Sequence, residues 1–193
     1  MISAIILAAG ESKRMGQPKM LLPWGEVTII EHVISVFIRA GIEELLVVTG
    51  GAREKVEEII REYPVRPIHN QGYTTGEMLS SLQCGLRALS SQAQATLIGL
   101  GDQPQVEEGS VRMIYEAYQR KKSRLIVPSF QMRRGHPWLV ACPLWKEILE
   151  MKSPGSPRDF LNKHASEIEY VNVNTSSILA DLDTPEDYQR SHP

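Results

Sequence analysis

The chain has 193 residues, 42% hydrophobic and 23% charged, with 21 Lys and Arg against 23 Asp and Glu for a formal net charge of −2. At roughly 150 residues per domain it is expected to form a single domain spanning 1–193, long enough to bury about 70% of its unfolded surface without disulfides or a structural metal. These values exclude a disordered chain, a coiled coil and a collagen-like repeat, and a pI near 6.2 argues against a nucleic-acid partner, which calls for a strongly basic surface.

Ile2 to Leu7 is a short apolar run that reads as a buried strand. The stretch from Met1 to Ala9 lacks a basic leader and stops at Gly10, so it is not read as a signal peptide. No segment approaches the roughly 20 apolar residues that span a bilayer. The expectation is a cytoplasmic protein without a membrane anchor. A loop rich in glycine, proline and charge follows from Ala8 to about Glu26. Thr28 and Glu31 have capping-box spacing, Ile30, Val33, Ile34, Phe37 and Ile38 follow at helical spacing, and Gly41 marks the stop.

Leu45 to Val48 reads as the second buried strand, stopped by Gly50-Gly51, and Arg53 to Glu62 as an amphipathic helix. Val65 to His69 carries a proline and reads as an edge strand. A helix is expected from about Glu77 to Ser90, a strand from Ala95 to Leu100 and a helix from about Ser110 to Lys122 with a basic end. Leu125 to Val127 and Trp138 to Ala141 are strand-like. Short helices near Leu144 to Met151 and Pro157 to His164 precede a strand at Glu169 to Val173, and Thr184-Pro185 starts a last helix. The alternation predicts an α/β fold: a Rossmann-like open, mainly parallel sheet with helices on both faces and right-handed crossovers. In such sheets ligands bind outside the carboxyl ends of the strands. Cys84 and Cys142 have no CxxC partner and are expected to be buried reduced thiols. His32 and His164 are read as structural or solvent-facing, and Trp24, Trp138 and Trp145 as packing residues.

Four segments carry chemistry. Gly10 to Lys19 places two glycines, Ser12 and three cations directly after a buried strand. Successive N–H groups in such a loop can form an anion-binding nest, with Arg14 and Lys19 on the outer phosphates of a nucleotide. The spacing fits neither GxGxxG nor a P-loop, and an ordinary surface loop stays open. Asp102, in Gly101-Asp102-Gln103-Pro104, follows a strand and suits a hard divalent cation such as Mg²⁺, with helix capping equally open. Asp181, Asp183, Glu186 and Asp187 form a second acidic group, for which a helix start is the simple reading. Asn70 to Leu82 runs a glycine-rich loop through Gly76 into a helix bearing Ser80 and Ser81, where the first-turn N–H groups can meet phosphate or a base edge, or where Thr75 merely caps. Arg133-Arg134-Gly135-His136-Pro137 precedes a strand.

The string Leu7-Ala8-Ala9-Gly10-x-Ser12-x-Arg14-Met15-Gly16-x-Pro18-Lys19 resembles the signature of the nucleotidyltransferase superfamily, whose fold is that of the nucleotide-diphospho-sugar transferases. It is similar above all to the MobA-like group, which attaches a nucleotide to molybdopterin. The resemblance implies that Leu7, Ala8, Ala9, Gly10, Ser12, Arg14, Gly16 and Lys19 wrap the triphosphate, with Arg14, Lys19 and Asp102 catalytic. It implies Mg²⁺ on Asp102 and Asp183, with Asp181 a weaker candidate, and nucleotide contacts from Ser81 and then Ser80. Arg134-Gly135-His136-Pro137 resembles a motif of the cytidylyltransferase branch on the acceptor side, so Arg134, Gly135 and His136 are expected to meet the molybdenum cofactor. Gly155-Ser156-Pro157-Arg158 has one residue more than the family's turn, which leaves Arg158 without an assigned role, and Glu77 stands between Gly76 and Met78 where the family has none. Ala9, where the guanylyl branch has glycine, narrows the room near the base and implies CTP. The resemblance runs from Ile5 to Asp187 and implies transfer of CMP to molybdopterin, with a molybdenum hydroxylase as a client. The alternatives are another NTP with a sugar phosphate or other small phosphate acceptor, and a cofactor carrier that is not an enzyme.

Overall fold

The computed structural model describes residues 1–75 and 77–193, so Gly76 of the middle loop lies outside the described residues. In chain order the strands are β1 (Ile2–Ala8), β2 (Pro23–Trp24), β3 (Val27–Thr28), β4 (Glu44–Thr49), β5 (Arg66–His69), β6 (Ala95–Leu100), β7 (Leu125–Phe130), β8 (Arg133–Arg134), β9 (Trp138–Ala141) and β10 (Glu169–Asn172). The helices are α1 (Ile29–Arg39), α2 (Arg53–Ile60), α3 (Glu77–Ala88), α4 (Glu108–Lys121), α5 (Trp145–Glu150), α6 (Pro157–Lys163) and α7 (Pro185–Ser191).

The main sheet has the order β10-β7-β9-β6-β1-β4-β5, with β8 paired to β7. β1 lies between β4 and β6 and is parallel to both. β5 forms one edge beside β4, which is where Pro67 can sit without breaking a ladder on its far side. β9 runs antiparallel to both β6 and β7, and β10 returns parallel to β7 at the other edge. The sheet is therefore mixed and mostly parallel.

Alternation along β1 explains the two cores. Ile2, Ala4, Ile6 and Ala8 face a cluster built with Val33, Ile34 and Phe37 of α1, Val56 and Ile60 of α2, and Val111, Ile114 and Tyr118 of α4. Ile5, Leu7 and Ala9 face the opposite cluster, with Leu79, Leu82 and Leu86 of α3, Ile148 of α5, and Phe160 and Leu161 of α6. Both faces are covered, so all seven β1 residues are buried. A third, smaller cluster joins Met15, Leu22, Trp24, Ile29 and Leu182, with Tyr188 packed against it. The Tyr188 hydroxyl donates to the Pro23 carbonyl at 2.7 Å. This cluster ties the loop after β1 to the C-terminal segment.

The Thr28–Glu31 capping box starts α1 as its spacing predicts, and the Thr184–Asp187 box starts α7. The segment from Ala8 to Glu26 is more ordered than a plain loop. It contains 3-10 turns at Lys13–Met15 and Lys19–Leu21 and the strand β2. Elements this short have no hydrophobic period to read. The two-residue strand β8 escaped the sequence for the same reason, and α4 starts two residues earlier than expected. Cys84 is half-buried, but Cys142 is exposed, against the expectation of two buried thiols. It stands at the end of β9 in a 3-10 turn with Pro143, where the sheet gives way to solvent. Trp24 and Trp138 are buried, and the Trp145 Nε1–H donates to the Val140 carbonyl at 3.1 Å. Among the described residues no helix is long and apolar enough to cross a membrane.

His164 is buried at the end of α6, with Nδ1 2.8 Å from Glu167 Oε1, Nε2 3.0 Å from Glu147 Oε2 and the Phe160 ring 4.8 Å away centre to centre. Lys163 also reaches Glu147, and Arg124 reaches Glu167. Burial pushes the imidazole pKa down, but hydrogen bonds and charge from Glu167 and Glu147 outweigh it and raise it. Both ring nitrogens then act as donors only when the ring is charged. A raised folded-state pKa stabilises fully below the unfolded value of about 6.5 and stops contributing as pH rises through the folded value. Thermal melts of wild type and His164→Gln are expected to differ most at pH 6 and to converge by pH 9.

Candidate active site

The site forms at the carboxyl ends of the adjacent parallel strands β1 and β6. After β1 the chain turns through Ser12, which holds a left-handed φ of 53°, at a cost of about 1 kcal/mol for a non-glycine residue. The Ser12 hydroxyl oxygen accepts the Lys19 backbone N–H at 3.1 Å, and the Ser12 carbonyl accepts the Met15 N–H at 2.9 Å. Met15 is anchored in the third core. The loop is thereby folded back on itself, and Lys19 points inward with a residue exposure of only 9%.

The Lys19 ammonium meets three oxygen groups. It pairs with the Asp102 carboxylate, donates to the Leu182 carbonyl at 3.1 Å and lies 3.4 Å from Asp183 Oδ1. Arg14 Nη2 holds the other Asp183 oxygen at 3.0 Å. The backbone fixes the same convergence, since the Gly101 N–H donates to the Leu7 carbonyl at 3.0 Å and the Leu182 N–H to the Asp102 carbonyl at 3.3 Å. Asp102 does not cap a helix, because α4 begins only at Glu108. That removes the capping alternative for this carboxylate.

Above this array opens a cleft of about 400 Å³. Its wall includes Leu7, Ala9, Gly10, Ser12, Arg14, Lys19, Ser81, Asp102 and Asp183 of the sequence-predicted set. Ala8, Gly16 and Ser80 are not in the wall. The alternation of β1 turns Ala8 into the core, Gly16 closes the 3-10 turn with a φ of 68°, and the Ser80 hydroxyl accepts from Asn70 Nδ2 at 2.8 Å. The same Asn70 amide donates to the Ser81 hydroxyl at 3.0 Å and steadies it at the cleft. Tyr73, Met78 and Leu100 also line the cleft and were not singled out from sequence. Met78 stood in the quoted loop, but an apolar residue in a helix gives no sign of pointing outward.

Two glycines behave oppositely. A Cβ on Gly50 would collide with the Ala9 backbone, so that position must be glycine for β4 to end beside the loop. A Cβ on Gly10 would meet nothing within 4 Å, and its φ is not positive. The protein's own packing does not require glycine there. Gly10 lines the cleft, and a Cβ there would enter open space.

Asp181 lies outside the cleft wall. Its Oδ1 accepts the Gln103 amide at 2.6 Å, and burial, with the charges of Asp102 and Asp183, raises its pKa against that hydrogen bond. Among the described residues no three His, Cys, Asp or Glu side chains gather as a ready-made metal cage. Asp102 and Asp183, however, already share one cation, the Lys19 ammonium. Two convergent carboxylates open to a cleft fit a hard divalent ion that takes its remaining oxygens from phosphate and water.

A second cavity, about 990 Å³, lies beside the first, and Met78 lines both. Arg134, Gly135 and His136 are in its wall. Gly135 is forced, because a Cβ there would strike Ile178, whose carbonyl accepts the His136 N–H at 3.0 Å. Burial drives the His136 pKa down to about 4, although the nearby Asp102 charge pulls the other way, so the ring is neutral at pH 7. Arg158, left unassigned by the sequence, lies in the same wall.

The MobA-like NTP transferase domain family matches residues 4–168. The chain is 30% identical over 189 residues to the molybdenum cofactor cytidylyltransferase of Escherichia coli (strain K12), a match covering 97% of this chain and 93% of that protein. It is 27% identical over 197 residues to the nicotine blue oxidoreductase of Paenarthrobacter nicotinovorans, covering 98% and 95%. Its structure is similar to that of a nucleotidyl transferase from Methanothermobacter thermautotroptrophicus, with a TM-score of 0.85 and 26% identity over 100% of this chain and 96% of that one.

Removing one partner of a largely buried ion pair leaves the others unscreened, at a cost of about 3 kcal/mol. Lys19→Met is therefore expected to lower unfolding free energy by that order in urea titrations of the ligand-free protein. Adding Asp183→Asn to Lys19→Met is expected to recover part of the loss, because it relieves the repulsion from Asp102.

Proposed function

The chain belongs to the MobA-like NTP transferase family and is an NTP nucleotidyltransferase, and from that premise we propose that it transfers CMP from CTP to the phosphate of molybdopterin, releasing pyrophosphate and forming molybdopterin cytosine dinucleotide. The observation that carries this reading is the convergence of Lys19, Arg14, Asp102 and Asp183 on the floor of a cleft that adjoins a second, larger cavity. One cleft suits the nucleotide and the other the acceptor, with Met78 between them.

In the reaction an oxygen of the acceptor phosphate forms a bond to the α-phosphorus of CTP. The bond from that phosphorus to the α,β-bridging oxygen breaks, and pyrophosphate leaves with the electron pair. A phosphate monoester has a second pKa near 6, so the attacking group is already ionised at pH 7 and needs no strong general base. Catalysis of this kind is mainly positioning and charge stabilisation. Gly10 gives the triphosphate room against the loop, and Lys19 and Arg14 supply the positive charge that meets pyrophosphate as it departs. Asp102 and Asp183 would hold Mg²⁺, which when bound neutralises negative charge on the reacting phosphate. Ser81, fixed by Asn70, contacts the nucleotide, and Arg134, Gly135 and His136 face the acceptor. Ala9 in the cleft wall adds a methyl group near the base and favours the smaller pyrimidine. The E. coli relative named as a molybdenum cofactor cytidylyltransferase supports the same choice of substrates.

We also read residues 1–193 as one transferase domain. The segment beyond the family match supports this, since residues after 168 add β10 to the same sheet and return Asp183 to Lys19.

Pyrophosphate release with Mg²⁺ and molybdopterin is expected with CTP and not with GTP, ATP or UTP, and a preference for GTP would overturn the role given to Ala9. Asp102→Asn is expected to lower kcat by about 10² to 10³ while the protein still unfolds in one cooperative transition, at a lower temperature because Lys19 loses its carboxylate partner, and wild-type turnover in that variant would overturn the assignment. Gly10→Ala is expected to keep unfolding free energy within about 0.5 kcal/mol of wild type. Its CTP affinity, read by calorimetry, is expected to fall at least about tenfold.

A further inference from the structure

The charges in the wall of the first cleft do not balance. Among the described residues three cations and four acids line it. Lys13 holds Glu11 at 2.8 Å, Arg14 holds Asp183 at 3.0 Å, and Lys19 pairs with Asp102. Glu77 is left over: among the described residues it forms no ion pair. An exposed carboxylate repels a triphosphate, so holding phosphate gives no reason for it. The family pattern gives none either, since it has no counterpart of Glu77. The residue also holds a left-handed φ of 49°, at a cost of about 1 kcal/mol for a non-glycine residue.

The fold puts this carboxylate away from the cations. α3 begins at Glu77 and packs across β1, β4 and β5. The Lys19–Asp102 pair stands at the end of β6, on the other side of β1. Two strand spacings separate β6 from β4, which is roughly 10 Å. At the α3 end the wall is made by Ala9, Tyr73 and Met78, side chains that suit the face of a ring. Glu77 and Ser81 are four residues apart on α3, hence on one side of the helix, and both line the cleft. Their hydrogen-bonding characters are opposite. A carboxylate only accepts, whereas Ser81 already accepts from Asn70 and has its own O–H to donate.

We propose that Glu77 is a specificity-determining residue: its carboxylate accepts a hydrogen bond from the exocyclic N4 amino group of cytosine, while the Ser81 O–H donates to the ring N3. The inference rests on the CTP reading of the cleft. Cytosine offers a donor at position 4 beside an acceptor at N3, which matches an acceptor followed by a donor on the protein. Uracil has the reverse order, with the O4 acceptor beside N3–H, and would set its carbonyl oxygen against the carboxylate. The methyl group of Ala9 limits the size of the base but cannot separate these two pyrimidines. Glu77 supplies that discrimination.

The test uses the full chain and three nucleotides with Mg²⁺: CTP, UTP and the triphosphate of the 2-pyrimidinone ribonucleoside, which keeps N3 and O2 of cytosine and lacks the amino group. Affinities are read by calorimetry. Wild type is expected to bind CTP at least about tenfold more tightly than either of the others, the scale of one hydrogen bond to a charged group. Glu77→Gln can turn either its carbonyl or its NH₂ group to the base, so its preference for CTP over UTP is expected to disappear. Loss of a negative charge raises the affinity for every triphosphate alike and leaves the ratio untouched. A Glu77 that only answers the dipole of α3 would lower the melting temperature of this variant and keep the wild-type ratio. A wild-type ratio in Glu77→Gln, equal binding of CTP and UTP by wild type, or equal binding of CTP and the 2-pyrimidinone nucleotide would each overturn the proposal. If the ratios behave as expected while molybdopterin gives no pyrophosphate release, the role of Glu77 stands and the proposed reaction falls. Failure of wild type to bind any of the three would overturn both.

Discussion

The structure depends on where the Lys19 ammonium sits. Three stretches of chain that are far apart in sequence meet at this one nitrogen: the loop after β1, the end of β6, and the segment before α7. A lysine that is nearly buried must have its charge met by oxygens, and here two carboxylates and a carbonyl do so. The carboxylates in turn would repel each other without it. The contact therefore fixes the floor of the cleft before any ligand arrives. The third hydrophobic cluster supports the arrangement from below, since Leu182 is fully buried between the anchored loop and α1 and stands next to Asp183.

The mixed character of the sheet places the second cavity. A wholly parallel sheet would continue past β6 with another crossover helix on one face. Instead β9 runs antiparallel between β6 and β7, and β7 turns back through the β8 hairpin. That reversal puts Arg133, Arg134 and His136 at the same end of the sheet as Asp102. α6 and β10 then supply Arg158, Asn162 and Tyr170 to the same cavity, the last two in contact with Arg134. Among the described residues the two cavities, different in character, share the side chain of Met78.

Much of this was legible in the sequence because the signals are local. The β1 run, the Thr28–Glu31 box and the alternation of strands and helices each follow from a period or a cap that a few residues define. The loop signature singled out Lys19 and Arg14, and strand-end position singled out Asp102. Other features depend on long-range packing and left no local trace. Ala8 is in the signature but faces the core because β1 alternates there, and Ser80 is consumed by Asn70. The exposed Cys142 follows from where β9 ends, and the grip on Arg134 by Asn162 and Tyr170 joins residues 28 and 36 positions away. No spacing rule reaches that far.

The two cavities handle one electrostatic difficulty in different ways. In the proposed reaction a triphosphate and a phosphate monoester, both anionic, must approach within bonding distance. A pair of unit like charges 4 Å apart near a protein surface costs about 4 kcal/mol, and each of these groups carries more than one. The chain as a whole is slightly acidic, at −2, so it cannot offset this with a general positive field. Compensation has to be local. In the first cleft the cations Lys19 and Arg14 are balanced in advance by Asp102 and Asp183, so their charge is free to be redistributed when phosphate arrives. In the second the arginines are held by neutral groups or by none, and their charge stays unspent. A balanced cleft suits a ligand that brings its own metal cation, and an unbalanced one suits a ligand that brings only negative charge. In the proposed reaction the distribution of aspartates, present in one wall and missing among the described residues of the other, would separate the donor's place from the acceptor's.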